Sequence, residues 1–344
     1  MTRLLTLILS LLLATATVTT LQAASVEETR KSAEQGDSAS QFSLAQRYEA
    51  GKGVERDPAQ AAAWYRKAAL QGHARAQTNL GNLYRTGRGV SRDYGEALIW
   101  YRKAAAQGDT KAQINIAMMY AGGMGVEQDS SEGLNWMLRA AEAGDTQAMV
   151  HLGTMYRAGK GVDKDYAKST QWFRNAAEKG DAVAQQNLGL SYFNGTGVAR
   201  DYAQSVKWHR RAAEKGYPPA EYSMALRYAK GKGVRQDYGA AADWYRKAAK
   251  QGHPDAQNNL GLMYRKGQGV RQDYGEALAW FRKAAERGHP LAQYNLGNMY
   301  LKGQGTQQDP DAARKWFSKA SKSGHKGARK ALESMQGGGR AEHE

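Results

Sequence analysis

Apolar residues in this chain recur at the spacing of amphipathic helices, with two helices to each segment. In the segment 73–108, the first apolar set is Ala76, Leu80, Leu83 and Tyr84. The second set is Ala97, Trp100, Tyr101, Ala104 and Ala105. Steps of three and four residues place each set on one face of an α-helix. The segment is therefore predicted to form a helix–turn–helix unit.

The same unit recurs along the chain with a fixed step of 36 residues. All eight tryptophans keep this step: Trp64, Trp100, Trp136, Trp172, Trp208, Trp244, Trp280 and Trp316. The repeats are 37–72, 73–108, 109–144, 145–180, 181–216, 217–252, 253–288 and 289–324, without an insertion. A constant period of this size is typical of a solenoid, in which each unit packs only on its neighbours. The sequence predicts one elongated all-α array rather than several globular domains.

Glycine, aspartate and proline mark the ends of the predicted helices. In the second repeat, Gly87 and Gly89 can take the positive φ that a tight loop needs. Asp93, with Glu96 three residues later, predicts a capping box at the start of the second helix. Gly108 is expected to terminate that helix. The six prolines all fall in a predicted first turn, where proline removes no hydrogen bond.

The two ends of the chain depart from the repeat. Residues 1–23 are predicted to be a cleaved signal peptide, because Arg3 precedes an apolar run and the segment ends in small residues. Residues 25–36 and 325–335 resemble half repeats and are predicted to form capping helices. Residues 336–344 are predicted to be a disordered tail. We expect a periplasmic protein without stable membrane insertion; secretion, or anchoring through an uncleaved N-terminus, is the alternative.

The repeat motif combines A-x-x-x-L-G-x-x-Y, a G-x-G-V-x-x-D turn, A-x-x-W-x-x-x-A-A and a terminal glycine. It resembles the Sel-one-like repeat, a relative of the tetratricopeptide repeat, over residues 37–324. The resemblance implies a right-handed α/α superhelical solenoid with half-repeat caps, whose first helices line the concave side. Members of that family are usually adaptors that bind other proteins. Some act as periplasmic immunity proteins against secreted toxins, and a few cysteine-rich members are described as β-lactamase-like.

The chain is strongly basic, with a formal net charge of +16. One column of arginines recurs on the second helices, beside a second column of lysines and arginines, and its plain interpretation is a solvated outer face. Another basic set follows the first helices and includes Arg85, Arg157 and Arg265. That set would attract an acidic partner. Nucleic acid is not expected as a partner, because few such targets exist beyond the inner membrane.

No catalytic, cofactor-binding or metal-binding residue is expected. His73, His253, His289 and His325 share the position before a helix, which predicts helix capping rather than metal binding. His209 replaces an aromatic residue and is interpreted as a packed variant. One S-x-x-K motif, Ser323 to Lys326, lacks the companion motifs of β-lactamases. The chain also has no cysteine, unlike the β-lactamase-like relatives.

A polar column in the middle of the first helices is the best candidate for binding, because asparagine is a modest helix former. Its members, with the aromatic neighbours and the basic residues, give the candidate set Asn79, Arg85, Asn115, His151, Arg157, Asn187, Tyr222, Asn259, Arg265, Tyr294 and Asn295. Two roles stay open for the amides, which would bridge adjacent repeats or hydrogen-bond a partner. Tyr222 and Tyr294 would belong either to an interface core or to packing within the array.

These observations favour a non-enzymatic scaffold that binds an acidic protein partner on its concave surface. Three alternatives remain open at this stage. The first is an immunity protein that neutralises a secreted antibacterial toxin, such as a phospholipase effector. The second is a binder of peptidoglycan or another anionic polymer. The third is a β-lactamase-like or cell-wall hydrolase.

Overall fold

The structure is a computed structural model, and it describes residues 26–337. The predicted signal peptide 1–23 lies outside the described residues, as does the predicted tail from residue 338 onward. The chain divides into two compact units, Met1–Lys164 and Asp165–Glu344. Within residues 26–337 the regular structure is helical and contains no strand. The predicted all-helical array of eight 36-residue repeats is confirmed.

The described part of the first unit contains eight helices. Helix α1 covers 26–34. The others are α2 (Ser38–Ala50), α3 (Pro58–Leu70), α4 (Ala74–Thr86), α5 (Tyr94–Ala105), α6 (Thr110–Gly122), α7 (Ser130–Glu142) and α8 (Thr146–Ala158). Even-numbered helices are the first helices of the repeats, and each packs closely on the second helix that follows it in α2–α7.

The described part of the second unit contains ten helices. They are α9 (Tyr166–Glu178), α10 (Ala182–Asn194), α11 (Tyr202–Glu214), α12 (Pro218–Lys230), α13 (Tyr238–Lys250), α14 (Pro254–Lys266), α15 (Tyr274–Glu286), α16 (Pro290–Lys302), α17 (Pro310–Lys322) and α18 (Lys326–Gly337). From α10 onward, first and second helices pair as in the first unit, and each second helix also packs on the next first helix.

Local sequence signals set the helix ends. The Asp93 carboxylate accepts a hydrogen bond from the Glu96 backbone N–H at 3.0 Å, as the capping motif predicts. The other half of the predicted capping box differs, because the Glu96 carboxylate accepts from the Trp100 indole at 3.2 Å instead. The Asp93 backbone N–H donates to the Tyr84 carbonyl. Gly87 and Gly89 adopt positive φ, as predicted.

In each repeat the residue after the tryptophan is buried more deeply than the tryptophan itself. Tyr101 and Phe281 have no exposed surface, whereas Trp100 and Trp280 retain 4% and 9%. The Tyr101 ring lies over Gly81 of the preceding first helix, where an added Cβ would be 2.6 Å from the ring. The missing side chain of Gly81 therefore makes room for an aromatic ring of the same repeat.

A column of buried glutamines joins five of the first helices to the helix before them. The Nε2 atoms of Gln41, Gln77, Gln185, Gln257 and Gln293 donate to a backbone carbonyl eight residues earlier, at 3.0–3.1 Å. That carbonyl lies near the end of the preceding helix, where it has no partner within its own helix. The column was not anticipated from the sequence, although glutamine stands at that position in six of the eight repeats.

Candidate protein-binding face

The candidate residues lie on the first helices or at their C-terminal ends. We call the solvent-facing side of the even-numbered helices α2–α16 the first-helix face, and describe it separately in each unit. Asn79, Asn115, Asn187 and Asn259 are half-buried, Asn295 is buried and His151 is exposed. Partial burial shows that most of the polar column is engaged within the array before any partner binds.

Amide groups of the polar column bridge adjacent repeats. Asn115 donates through Nδ2 to Asn82 Oδ1 at 3.2 Å. Asn295 donates to Asn258 Oδ1 at 2.9 Å. Asn259 donates to the hydroxyl of Tyr245 in the preceding repeat at 3.2 Å. The bridging role left open by the sequence is therefore present, and it orders the face.

Asn79 and Asn187 make the remaining amide contacts of the polar column. Asn79 hydrogen-bonds the Tyr65 hydroxyl, which itself donates to the Glu49 carboxylate at 2.8 Å. Burial, and then the Glu49 carboxylate, raise the pKa of Tyr65 well above its usual value. Asn187 donates to the Val183 carbonyl of its own helix at 2.9 Å. The Asn79 contact therefore bridges adjacent repeats as the Asn259–Tyr245 contact does, whereas the Asn187 amide bonds within its own helix.

The aromatic candidates Tyr222 and Tyr294 pack within the array. Tyr222 stacks on His253 with ring centroids 4.6 Å apart, and Tyr294 stacks on His325 at 4.5 Å. Both histidines begin the next first helix. Their Nδ1 atoms accept from a backbone N–H three residues later at 3.3 and 3.0 Å, as does Nδ1 of His73 and His289. The histidine column therefore caps helices, and the tyrosines remain only partly available to a partner.

The three basic candidates differ in exposure and in the contacts that hold their side chains. Arg85 donates through Nε to the Tyr101 hydroxyl at 3.3 Å, and that hydroxyl donates to Asn82 Oδ1 at 2.7 Å. Arg157 is exposed. Arg265 is half-buried, with its guanidinium carbon 5.8 Å from the Phe281 ring centroid. Arg85 is thus held by its own repeat, whereas Arg265 keeps its hydrogen-bonding atoms for other contacts.

In the second unit, Arg265, Tyr294 and Asn295 meet in one cleft of about 420 Å³. The cleft lies where α16 meets α14 and the start of α15. Its remaining lining residues are Tyr274, Asn298, Lys302 and Gln304. The candidate set from the sequence did not include Asn298 and Lys302, which lie one and two helical turns after Asn295 of the polar column. The cleft is lined by two cations, three amides and two aromatic rings.

In the first unit, His151 lines a groove of about 470 Å³. The groove is formed by α6, α7 and α8, and it is mainly apolar. Its lining includes Met118, Met137 and Met155, with small residues between them. Asn79, Arg85 and Asn115 do not line it. The predicted residues therefore form several separate local sites rather than one continuous surface.

Cations of the second helices have partners of their own. In seven repeats the basic residue three positions after the tryptophan lies over the indole, 3.8–4.7 Å from the ring centroid. Arginines at the preceding position hydrogen-bond a tyrosine hydroxyl of the next repeat, as Arg282 does to Tyr300 at 2.7 Å. The second-helix cations therefore stabilise the array itself.

Between residues 26 and 337, no three metal-ligating side chains come close enough together to hold a metal ion. Across the same range, every helix is too short or too polar to cross a membrane.

The profile of the Sel1 repeat matches the chain eight times. The matched segments are 38–73, 74–109, 110–145, 146–181, 182–217, 218–253, 254–289 and 290–325. The chain belongs to the Sel1 repeat family. Membership confirms the resemblance noted in the sequence. Sel1 repeats are in general non-catalytic scaffolds that bind proteins. A search of curated proteins found no match.

Solved structures of Sel1 repeat proteins agree with this assignment. A protective antigen of uropathogenic Escherichia coli strains is 36% identical, with a TM-score of 0.76 over 90% of this chain and 67% of the other. A Sel1 repeat protein from Oxalobacter formigenes is 35% identical, with a TM-score of 0.69 over 90% and 89% of the two chains. An immunity protein from Pseudomonas aeruginosa is 23% identical, with a TM-score of 0.41 over 62% and 81%. That last similarity is too low to support an argument about function.

Proposed function

We propose that this Sel1 repeat protein is a non-enzymatic periplasmic scaffold that binds an acidic protein partner on its first-helix face. The proposal rests on the contrast between the two sets of cations. Second-helix cations contact tryptophan and tyrosine within the array. Arg265 and Lys302 instead line an open cleft, and neither forms an ion pair within residues 26–337.

The cleft has the composition of a protein-binding surface. Tyrosine and arginine are enriched where protein interfaces are energetically important, and Tyr274, Tyr294 and Arg265 supply them here. Asn295 and Asn298 add amide groups that can pair with the backbone of a bound segment. The net charge of +16 would speed association with an acidic partner. The periplasmic part of the proposal rests on the predicted signal peptide 1–23.

Charge reversal in the cleft tests the proposal. A partner is captured from periplasmic extract on the tagged protein, identified, purified and titrated against Arg265→Glu/Lys302→Glu. The control is Arg235→Glu/Arg271→Glu, which changes the net charge equally at two exposed loop positions. We expect the cleft variant to weaken binding about tenfold or more and the control about twofold or less. Equal losses of affinity in the two variants would show that only the net charge of the protein matters, and would contradict the proposal.

The identity of the captured protein decides between forms of this function. A secreted toxin whose activity is blocked by the scaffold would make the chain an immunity protein. Retention on isolated peptidoglycan, lost at moderate salt, together with no captured protein, would favour a binder of anionic polymer instead. Cell fractionation tests the location separately, since cytoplasmic recovery of the mature chain would contradict the periplasmic part.

A further inference from the structure

Arg227 occupies a core position. The equivalent residues of the other repeats are Arg47, Leu83, Met119, Met155, Ser191, Met263 and Met299. Arg227 is only 5% exposed, and its Nε atom is sealed from solvent without a hydrogen-bond partner. Burial lowers its pKa to about 10. A buried guanidinium without a hydrogen-bonded anion is costly, so its presence at a position that is methionine in four of the other repeats calls for a role beyond packing.

The preceding repeat carries a complementary exchange. Phe193 stands where Arg85, Arg157 and Arg265 stand in other repeats. The guanidinium carbon of Arg227 lies 3.3 Å from the centroid of the Phe193 ring, so the cation stacks on the ring face. Stacking holds the plane of the guanidinium and leaves its edge as the direction from which an anion can approach.

Two further cations converge on the same aromatic surface. The Phe193 and Tyr202 rings are 5.2 Å apart and tilted. Lys232 Nζ lies 5.7 Å from the first ring centroid and 5.5 Å from the second, and the Arg200 guanidinium carbon lies 5.7 Å from Tyr202. The loop that carries Lys232 is pinned, because Gly233 packs on the Tyr202 carbonyl with φ +81°.

These three cations lack a carboxylate partner. The four ion pairs found among residues 26–337 involve none of them. Asp201, next to Arg200 in the chain, uses its carboxylate to accept the Gln204 backbone N–H at the start of α11. Charges of one sign therefore gather around a buried, unpaired guanidinium, an arrangement that is stabilised when an anion binds.

We propose that Arg227, Lys232 and Arg200, set around Phe193 and Tyr202, form a binding site for a carboxylate of an acidic polypeptide segment. The planar guanidinium suits a carboxylate, which it can bind through two parallel hydrogen bonds. The half-buried rings beside the cations suit the aliphatic part of a glutamate and its apolar neighbours, whereas a polyphosphate would use only the charges. This site deepens the proposed function, on which it rests, by assigning a specific contact to the acidic partner.

A defined probe tests the site without knowledge of the natural partner. The full mature chain is titrated at low ionic strength with a fluorescent decapeptide of alternating glutamate and leucine, followed by anisotropy. The main variant is Arg227→Met, which restores the residue of Met263 and Met299. Lys232→Gln removes the charge of Lys232, and Arg271→Gln removes one charge from the exposed loop of the next repeat as the matched control. A peptide with glutamine in place of glutamate controls for apolar binding.

The expected losses of affinity differ clearly among the variants. Arg227→Met should weaken the glutamate peptide about tenfold or more, Lys232→Gln about threefold, and Arg271→Gln less than about twofold. The glutamine peptide should not bind. Equal effects of Arg227→Met and Arg271→Gln would overturn the proposal. Binding of inorganic tripolyphosphate through Arg227, with no binding of the peptide, would overturn the assignment to polypeptide.

The outcome is separable from that of the proposed function. A captured partner that binds wild type and Arg227→Met equally would remove this site and leave the scaffold function standing. Failure to capture any partner would remove the scaffold function, while peptide binding through Arg227 would still be measured on its own. If no partner is captured and the glutamate peptide does not bind through Arg227, both proposals are contradicted.

Discussion

The ring of Tyr101 lies against Gly81 so closely that a methyl group there would be 2.6 Å from ring atom Cε1. The same contact joins Gly261 to Phe281 and Gly297 to Phe317 in the second unit. Ala45 and Ala225 take the glycine position in the repeats of Tyr65 and Tyr245, where all four residues are buried. Either a glycine or an alanine on the first helix thus faces a buried ring, and where glycine stands the ring lies too close for a methyl group.

Substitution of Gly81 should reveal this contact. We expect Gly81→Ala to destabilise the first unit by about 1–3 kcal/mol, because the Tyr101 ring must move within a packed core. Gly95→Ala is the control, since a methyl group there meets only the Asp93 carboxylate and the residue is helical. It should stabilise by about 0.5–1 kcal/mol through helix propensity. Urea unfolding followed by circular dichroism measures both, and a neutral Gly81→Ala would contradict the packing account.

Much of this fold could be predicted because its signals are local and repeated. Asp93, Gly87 and Gly108 have the predicted backbone roles. The relative depth of Trp100 and Tyr101 could not be predicted, because both lie on the apolar face and the spacing alone does not rank them.

The candidate site was predictable only in part. Arg265, Tyr294 and Asn295 do share a cleft. The amide bridges of Asn115 and Asn295 depend on which side chains face them across the repeat boundary. An alignment of the repeats does not show which side chains those are. Arg227 carried a usable signal, since it and Arg47 are the only basic residues at that repeat position.

His209 should make stability depend on pH. It has no exposed surface, and burial, followed by the charge of Arg227, lowers its pKa to about 3. Its folded pKa lies below the unfolded value of about 6.5, so the unfolded chain binds the proton first. The contribution of neutral His209 to the free energy of unfolding is fully present above about pH 6.5 and is lost as pH falls toward 3. At pH 5 the loss is about 2 kcal/mol.

A matched variant isolates this effect. Phe281 and Phe317 occupy the His209 position in other repeats, so His209→Phe should fold and should lose less stability between pH 7.5 and pH 5 than wild type does. Other groups, including His253, whose pKa burial also lowers, contribute to both proteins alike. Urea unfolding at the two pH values gives the comparison, and identical losses in both proteins would contradict a buried neutral His209.

Arg227 should cost stability in the absence of a ligand. We expect Arg227→Met to raise the free energy of unfolding by about 1–3 kcal/mol, because it replaces an unpaired buried cation by an apolar side chain. Arg246→Met should bring no such gain, since Arg246 pairs with Asp243 at 2.6 Å and hydrogen-bonds Tyr264. Thermal unfolding by calorimetry measures both. A destabilised Arg227→Met would assign the residue a structural role.

We expect no hydrolase activity from the purified mature chain. The Ser323 hydroxyl of the S-x-x-K motif donates to the Lys319 carbonyl at 3.3 Å and lies in an exposed turn. A nucleophilic serine needs a base within hydrogen-bond reach and an enclosed site. Nitrocefin turnover and peptidoglycan release are the measurements. Turnover that disappears in Ser323→Ala would contradict a scaffold without catalytic function.

Site-specific photo-crosslinking tests most directly whether the first-helix face binds the partner. A benzophenone amino acid is placed at Asn298, in the cleft on α16, or at Ala279, an exposed residue on α15 of the preceding repeat. Both proteins are irradiated in periplasmic extract, and the adducts are identified by mass spectrometry. The account predicts one acidic protein crosslinked from Asn298 and absent from Ala279. The same adduct from Ala279 alone, or equally from both positions, would contradict it.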